Sequence, residues 1–483
     1  MPIRTPLTFV FAALTLVGCA SSRGLHTEGE LLDPASLHAE QTFAGQLSAA
    51  TWPRVDWWRS LGDPQLNALI DQALRTSPDL QVADARARQA SAAVLAADAA
   101  RQPQLGGNAG ITRSRLAKVD DPTGQGRRYS TLRELSVDGG YRFDLWGGER
   151  AAWEAALGRA RASEVDRQGA RLTLAANLAR AYNLLGQSFA QQDIAEQDLK
   201  RSRDMLDLAQ RRVDAGIDSP YQLQQTQSIE AAAEAALTDA RQQVASARIR
   251  LAVLLGEGPD RGQTLSRPTL IAPERAQLPE QLPAQLLGRR PDLVAARWRV
   301  EAASRDIEAA RTAFYPNLDL TLSAGSRSML GDALLGAPSR FFSVGPALSL
   351  PIFDGGRLRA ELAGRNADYD LAVARYNQTL VNALGDAADD ITRLRALDTQ
   401  IDQQRRARDI AQNTYDIAMQ RYGDGIGSYL DALTVEQQLL QAERQLAALN
   451  AERIDAAVLL MQTLGGGFSA AELPEPLAAT NAR

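Results

Sequence analysis

Few side chains in this sequence have a type and spacing that suggest chemistry. Cys19 is the sole cysteine. It follows Arg4, an apolar run from Leu7 to Leu16 and the tetrad Leu16-Val17-Gly18-Cys19, with Ala20-Ser21-Ser22 behind it. A lone thiol at the end of an export segment has no second cysteine for a disulfide or a metal cluster. The two histidines, His26 and His38, lie near the N-terminus without a partner Cys or carboxylate pattern. Zinc clusters and Ser-His-Asp triads therefore have no basis in the body of the chain. No Gly-rich phosphate loop opens a helix after a strand. Gly465-Gly466-Gly467 reads as a helix terminator. The sequence supports neither an enzyme nor a bound metal or cofactor.

The apolar run before Cys19 is too short to span a bilayer, so residues 1–18 read as a cleaved signal. Leu16 to Cys19 resembles a bacterial lipobox, which implies S-diacylglycerol and an N-acyl group on Cys19. Two or more acyl chains anchor a protein stably. By resemblance to lipoprotein sorting, Ala20 in place of Asp directs the anchor to the outer membrane. Lys and Arg total 53 against 58 Asp and Glu, a net charge of −5, which gives no case for nucleic acid. Apolar residues make up 45% but aromatics only 5%, a bias toward long helices. Residues 19–60 read as an extended tether.

The elements that must follow come twice. Ser77-Pro78-Asp79-Leu80 matches Arg290-Pro291-Asp292-Leu293, and the same offset carries Pro103 onto Pro316. Arg212-Val213-Asp214-Ala215-Gly216-Ile217-Asp218-Ser219 matches Arg421-Tyr422-Gly423-Asp424-Gly425-Ile426-Gly427-Ser428. Two units of one design result, 61–258 and 284–467, with a linker 259–283 and a tail 468–483.

Each unit opens with a helix, 79–101 or 292–314, that stops before a proline. Two alternating stretches follow, predicted as strands over about 104–116 and 129–146, then about 317–328 and 341–353. Leu105, Ala109 and Ile111 oppose Asn108, Thr112 and Ser114. Leu135, Val137, Tyr141, Phe143 and Leu145 oppose Ser136, Asp138, Arg142 and Asp144. Leu318, Leu320, Leu322 and Ala324 oppose Asp319, Thr321 and Ser323. Phe342, Val344, Leu348, Leu350 and Ile352 oppose Ser343, Ala347 and Ser349. Period two of this kind gives each strand an apolar and a polar face.

A Gly-Gly turn, Gly147-Gly148 or Gly355-Gly356, leads into a proline-free helical stretch. At about 1.5 Å per residue, about 67 residues reach roughly 100 Å. Leu199, Leu206 and Val213, with Ile454, Ala457, Met461 and Leu464, mark coiled-coil seams. Gly216 and Gly425 break these helices, and Ser219 and Ser428 cap the returning ones. The helical hairpins then cover 149–255 and 357–464, with tips near 214–219 and 423–428.

Open strand edges in hydrocarbon leave backbone groups unsatisfied at several kcal/mol each, so membrane strands must close a barrel. Four strands do not close one, because the smallest membrane barrels have about eight. Two chains would give eight strands around a filled interior, and three would give twelve around a lumen. The polar inner faces favour twelve. A soluble four-stranded sheet packed on helices is the alternative.

At these residues the chain resembles the TolC-like outer-membrane factors, in the lipid-anchored branch that serves resistance-nodulation-division (RND) efflux pumps. The resemblance rests on Trp57-Trp58-Arg59 with Asp63-Pro64-Gln65-Leu66, on Phe314-Tyr315-Pro316-Asn317-Leu318, and on Leu350-Pro351-Ile352-Phe353-Asp354-Gly355-Gly356-Arg357. Phe143-Asp144-Leu145-Trp146-Gly147-Gly148 is a weaker copy of the last. It implies an α+β membrane protein. A homotrimer builds a twelve-stranded β-barrel in the outer membrane, and long helices continue it through the periplasm. It implies a passive exit duct partnered by a periplasmic adaptor and an inner-membrane transporter.

It also implies a periplasmic gate at the second tip, with Tyr422, Leu430 and Asp431 in constricting or bonding positions and Leu430 as an apolar ring. Thr434 stands where relatives often carry a further carboxylate. Asp424 offers another charge at the mouth. Asp424 and Asp431 read either as gate carboxylates or as charges of a solvated tip. Arg212 and Arg421 read either as adaptor contacts or as exposed helix-end arginines. A lipid-anchored scaffold or adaptor without a pore is the competing function.

Overall fold

The computed structural model describes residues 21–37, 47–48, 52–115, 117, 119, 129–269, 278–279, 288–329 and 334–470. Cys19, the signal segment, His38 and most of the tail lie outside these. Two helices come first, α1 (Pro64–Thr76) and α2 (Pro78–Ala100). A first hairpin of strands follows, β1 (Gln104–Arg115) and β2 (Tyr129–Phe143), then the long α3 (Gly148–Asp214) and the returning α4 (Pro220–Leu254). The second unit has α5 (Pro291–Thr312), β3 (Asn317–Ser328), β4 (Arg340–Ser349), α6 (Arg357–Gly423) and α7 (Tyr429–Thr463). A two-residue parallel pairing joins Leu47–Ser48 to Leu278–Pro279.

Helices α3 and α6 have 67 residues each, and α4 and α7 have 35 each. At about 1.5 Å per residue the longer pair spans roughly 100 Å. No compact globule holds such rods. They pack side by side: α3 on α4 and α5, α6 on α7 and α5, with α3 and α7 joining the hairpins. Alanine lines many of these contacts, among them Ala175, Ala176, Ala179, Ala247 and Ala252. The main core lies midway, where Trp57, Trp58, Leu66 and Ile70 press on Leu178, Tyr182, Leu185 and Leu251. Asp63 caps α1 through the Gln65 and Leu66 amides and accepts from the Tyr182 hydroxyl at 3.0 Å. Arg180 on α3 clamps Asp455 on α7 with bonds of 2.7 and 3.2 Å. Among the described residues, no helix is long and apolar enough to cross a membrane.

The third strand has its predicted bounds, 317–328, and residue 116 at the predicted end of the first lies outside the described residues; the second and fourth predictions overshoot. β2 ends at Phe143, not 146, because the Asp144 carboxylate turns to accept from the Glu149 and Arg150 amides at 3.1 and 2.9 Å. β4 runs from Arg340 to Ser349, not 341–353, because Pro351 has no N–H to continue a ladder and Asp354 caps the next helix. Leu145, Leu350 and Ile352 therefore stand beyond the strands.

Candidate channel wall and hairpin-tip site

The four strands form one antiparallel sheet in the order β1-β2-β3-β4. The two hairpins meet at β2 and β3, where Asp138 faces Ser323, Arg142 faces Asp319 and Phe143 faces Leu318. These registers stack like on like. Leu318 faces Leu348, Leu322 faces Val344, and Ala324 faces Phe342. One face is therefore apolar across the sheet, and nothing among the described residues covers it: Leu105 is 72% exposed, Leu348 71% and Phe342 84%.

The other face is a polar network. The Asp138 carboxylate accepts from Asn108 at 2.7 Å, from Ser136 at 2.8 Å and from Ser323 at 2.6 Å. Arg142 donates to Asp319 at 2.9 Å, and Arg327 donates to Glu134 at 2.7 Å. Bonds spanning three strands in this way suit a wet surface, because a dry core would charge each ion several kcal/mol of lost hydration. The outer edges of β1 and β4, strands of 12 and 10 residues that pair inward with β2 and β3, have no partner among the described residues. At the helix end of the sheet, Trp146 stacks on Tyr315 at 5.0 Å and donates to the Pro316 carbonyl at 2.8 Å.

At the far end of the helices the tips are built alike. Gly216 (φ 72°) and Gly425 (φ 77°) take the left-handed conformation that a side chain resists. The Ile217 amide then reaches the Arg212 carbonyl at 2.8 Å, and the Ile426 amide reaches the Arg421 carbonyl at 3.0 Å. Ser219 and Gln222 form a reciprocal cap on α4. The Ser428 hydroxyl accepts from the Asp431 amide at 3.1 Å.

A charged lock joins the two tips. Arg212 donates to both Asp218 oxygens, at 2.8 and 3.1 Å, and to the Tyr422 carbonyl at 2.9 Å. The Tyr422 hydroxyl donates to Asp218 at 2.7 Å. The Arg212 guanidinium lies 4.6 Å from the centre of the Tyr422 ring. Arg212 and Asp218 have side chains only 11% and 8% exposed. The bonds from Arg212, helped by Tyr422, hold the Asp218 carboxyl below the usual carboxylate range against the opposing effect of burial. Burial, with Asp218 alongside, pushes the Tyr422 phenol up. Tyr422 also packs with Met205, Tyr429, Ala432 and Leu433, and Thr226 donates to the Tyr429 hydroxyl at 3.1 Å.

Of the two readings of Arg212, adaptor contact and exposed helix-end arginine, the structure removes the second. Arg212 is turned inward, and its donors are engaged within the protomer. Arg421 is exposed, and its side chain reaches the Ile426 carbonyl at 3.4 Å. Asp424, Leu430 and Asp431 are exposed on the second tip, and their side chains supply none of the lock's bonds. The sequence alone does not mark Asp218 as a partner of the second tip. The one signal for it is that the duplicated tip motif carries Gly427 at the matching place. Among the described residues, no group of three or more His, Cys, Asp or Glu is placed to hold a metal ion.

The family model described as "Outer membrane efflux protein" matches residues 69–257 and 282–466, one stretch for each unit. This chain belongs to the outer membrane efflux protein family. It is similar to the multidrug resistance outer membrane protein MdtP of Escherichia coli O6:H1, with 30% identity over 98% of both chains. It is 33% identical to the pyoverdine export outer membrane protein OpmQ of Pseudomonas aeruginosa, over 85% of this chain and 87% of that one. The solved outer membrane protein VceC of Vibrio cholerae superposes with a TM-score of 0.81 at 34% identity, over 86% of this chain and all of that one. As an outer membrane efflux protein, the chain is an outer-membrane channel, with its sheet in the membrane and its helices in the periplasm. Its relatives are channel and transport proteins.

Proposed function

We propose that three copies of this chain close a twelve-stranded barrel and continue it as a helical duct, the exit of a tripartite efflux system. One observation carries the reading. The four-stranded sheet has a greasy face, a wet face and two long unpaired edges, so it is stable in a membrane only when other copies complete the cylinder. Twelve strands leave the Asp138 and Arg142 networks facing a lumen. A scaffold without a pore leaves this sheet unexplained.

In this reading an RND-type inner-membrane transporter supplies the drive, and a periplasmic adaptor recruits the duct to it. Small molecules of the kind implied by the multidrug-resistance relatives pass through without being chemically changed. Cys19 carries S-diacylglycerol and an N-acyl group, which hold the N-terminus at the outer membrane. The closed gate is the tip. Tyr422 locks it from within the protomer, exposed Leu430 forms the apolar ring, and Asp424 and Asp431 charge the mouth. Arg421 remains free to meet the adaptor.

Detergent-extracted protein is expected to have the mass of three chains, and Cys19→Ser is expected to remove the acyl mass from its N-terminal peptide. A single-chain particle without membrane-embedded β structure would overturn the duct. Equal peptide masses would overturn the anchor.

A further inference from the structure

Two turns above the lock, roughly 10 Å along the same helices, lies a carboxylate the lock does not use. Glu436 on α7 is 3% exposed, and neither of its carboxylate oxygens has a hydrogen-bond partner. Such a group is costly if charged, because ionisation in an apolar site forfeits hydration with nothing to replace it.

Its surroundings make the cost worse. From α3, Asp198 and Arg201 face it. Asp198 is itself buried, and burial pushes its carboxyl up. Arg201 donates from its two terminal nitrogens to both oxygens of Glu443 at 3.3 and 2.9 Å and lies 3.9 Å from Asp198, while its buried Nε has no hydrogen-bond partner. From α6, Tyr415 faces Glu436, and on α7 itself Tyr429 does so. Burial first, and Asp198 second, push the Glu436 carboxyl up to about 7, with Arg201 opposing them.

The position of Glu436 couples it to the tip. Between it and Tyr429 on α7, Ala432 and Leu433 pack in the same cluster as Tyr422 and Met205. Forcing α7 away from α3 at Glu436 therefore loosens the seat of Tyr422.

Resting on the duct reading, we propose that Glu436 is a proton-operated latch: uncharged, it lets α7 lie on α3 and keeps the tips closed; charged, it draws in water or takes Arg201 from Glu443 and favours opening. The sign follows from linkage. The packed state raises the carboxyl, so the stability it contributes is full in acid and is lost as pH rises through about 7. Asp218 does not confuse this window, because its carboxyl is held low and stays charged throughout.

The test is planar-bilayer recording of the purified oligomer between about pH 5 and about pH 8.5, where one unit of pKa corresponds to tenfold in equilibrium. The wild type is expected to open about tenfold or more often at the alkaline end. Glu436→Gln, which keeps the shape without the charge, is expected to give a flat profile at the wild type's acid level. Asp198→Asn removes a neighbouring negative charge and is expected to move the midpoint to lower pH. Infrared difference spectra should show a protonated carboxyl band in acid that disappears in alkali and is missing from Glu436→Gln. A flat wild-type profile, an unaltered pH response in Glu436→Gln, or an unmoved midpoint in Asp198→Asn would overturn the latch. If Asp218→Ala conducts in that case, the duct reading survives. Silence in every variant, Asp218→Ala included, would overturn both.

Discussion

At the first tip, Arg212 is clamped between Asp218 and Tyr422, while at the second its counterpart Arg421 touches one carbonyl at 3.4 Å. The backbones around them are copies. Both helices end in a left-handed glycine, both following isoleucine amides close the same ring, and both returning helices start at a serine. The lock uses the positions where the copies differ: Asp218 against Gly427, and Tyr422 against Val213. Packing enforces part of this asymmetry. A Cβ at Gly427 would lie 2.9 Å from the Tyr422 nitrogen and 3.0 Å from the Arg421 carbonyl carbon. Duplication thus supplies two equal rods, and the closing chemistry lies in what has diverged between them.

Asp218→Ala should have the largest effect, because it strands a mostly buried guanidinium, at a cost on the order of 3–5 kcal/mol to the closed tip. Channel opening in planar bilayers should rise more than about a hundredfold. Gly427→Asp, which gives the second tip the first tip's residue, should cost about 2 kcal/mol by crowding the backbone of Tyr422. Its readout is a lower thermal midpoint of the purified oligomer, without a second lock. Tyr422→Phe removes one bond to a charged acceptor, about 1.5 kcal/mol, and should raise opening about tenfold. Arg421→Ala should leave opening and stability within about 0.5 kcal/mol of wild type, as exposed substitutions do. An effect of Arg421→Ala as large as that of Asp218→Ala would erase the difference between the tips.

Most of the frame was legible in the sequence, and the reason is local. Alternation through Leu318 to Ala324, the Gly-Gly turns, and glycine followed by serine at each tip are short-range signals that set φ, faces and caps. The strand ends were not legible, since alternation runs on through Leu145 and through Leu350 and Ile352. What stops the strands is a carboxylate turning to cap a helix, at Asp144 and Asp354. The lock was half legible. Tyr422 stood out by resemblance, but its partner Asp218 lies in the other unit and meets it only when the hairpins pack. Arg212 looked like an exposed helix end for the same reason. Glu436 gave no signal, because burial of one glutamate among many follows from helix rotation and not from spacing.

In the proposed duct of three chains, Arg212, Asp218 and Tyr422 hold the tip shut. The most direct test is single-channel recording of wild type and Asp218→Ala, each with its oligomer mass measured. Three-chain particles are expected in both, with small and rare openings in the wild type and large sustained currents in the variant. Single-chain particles, or three-chain particles equally silent in both, would contradict the locked duct.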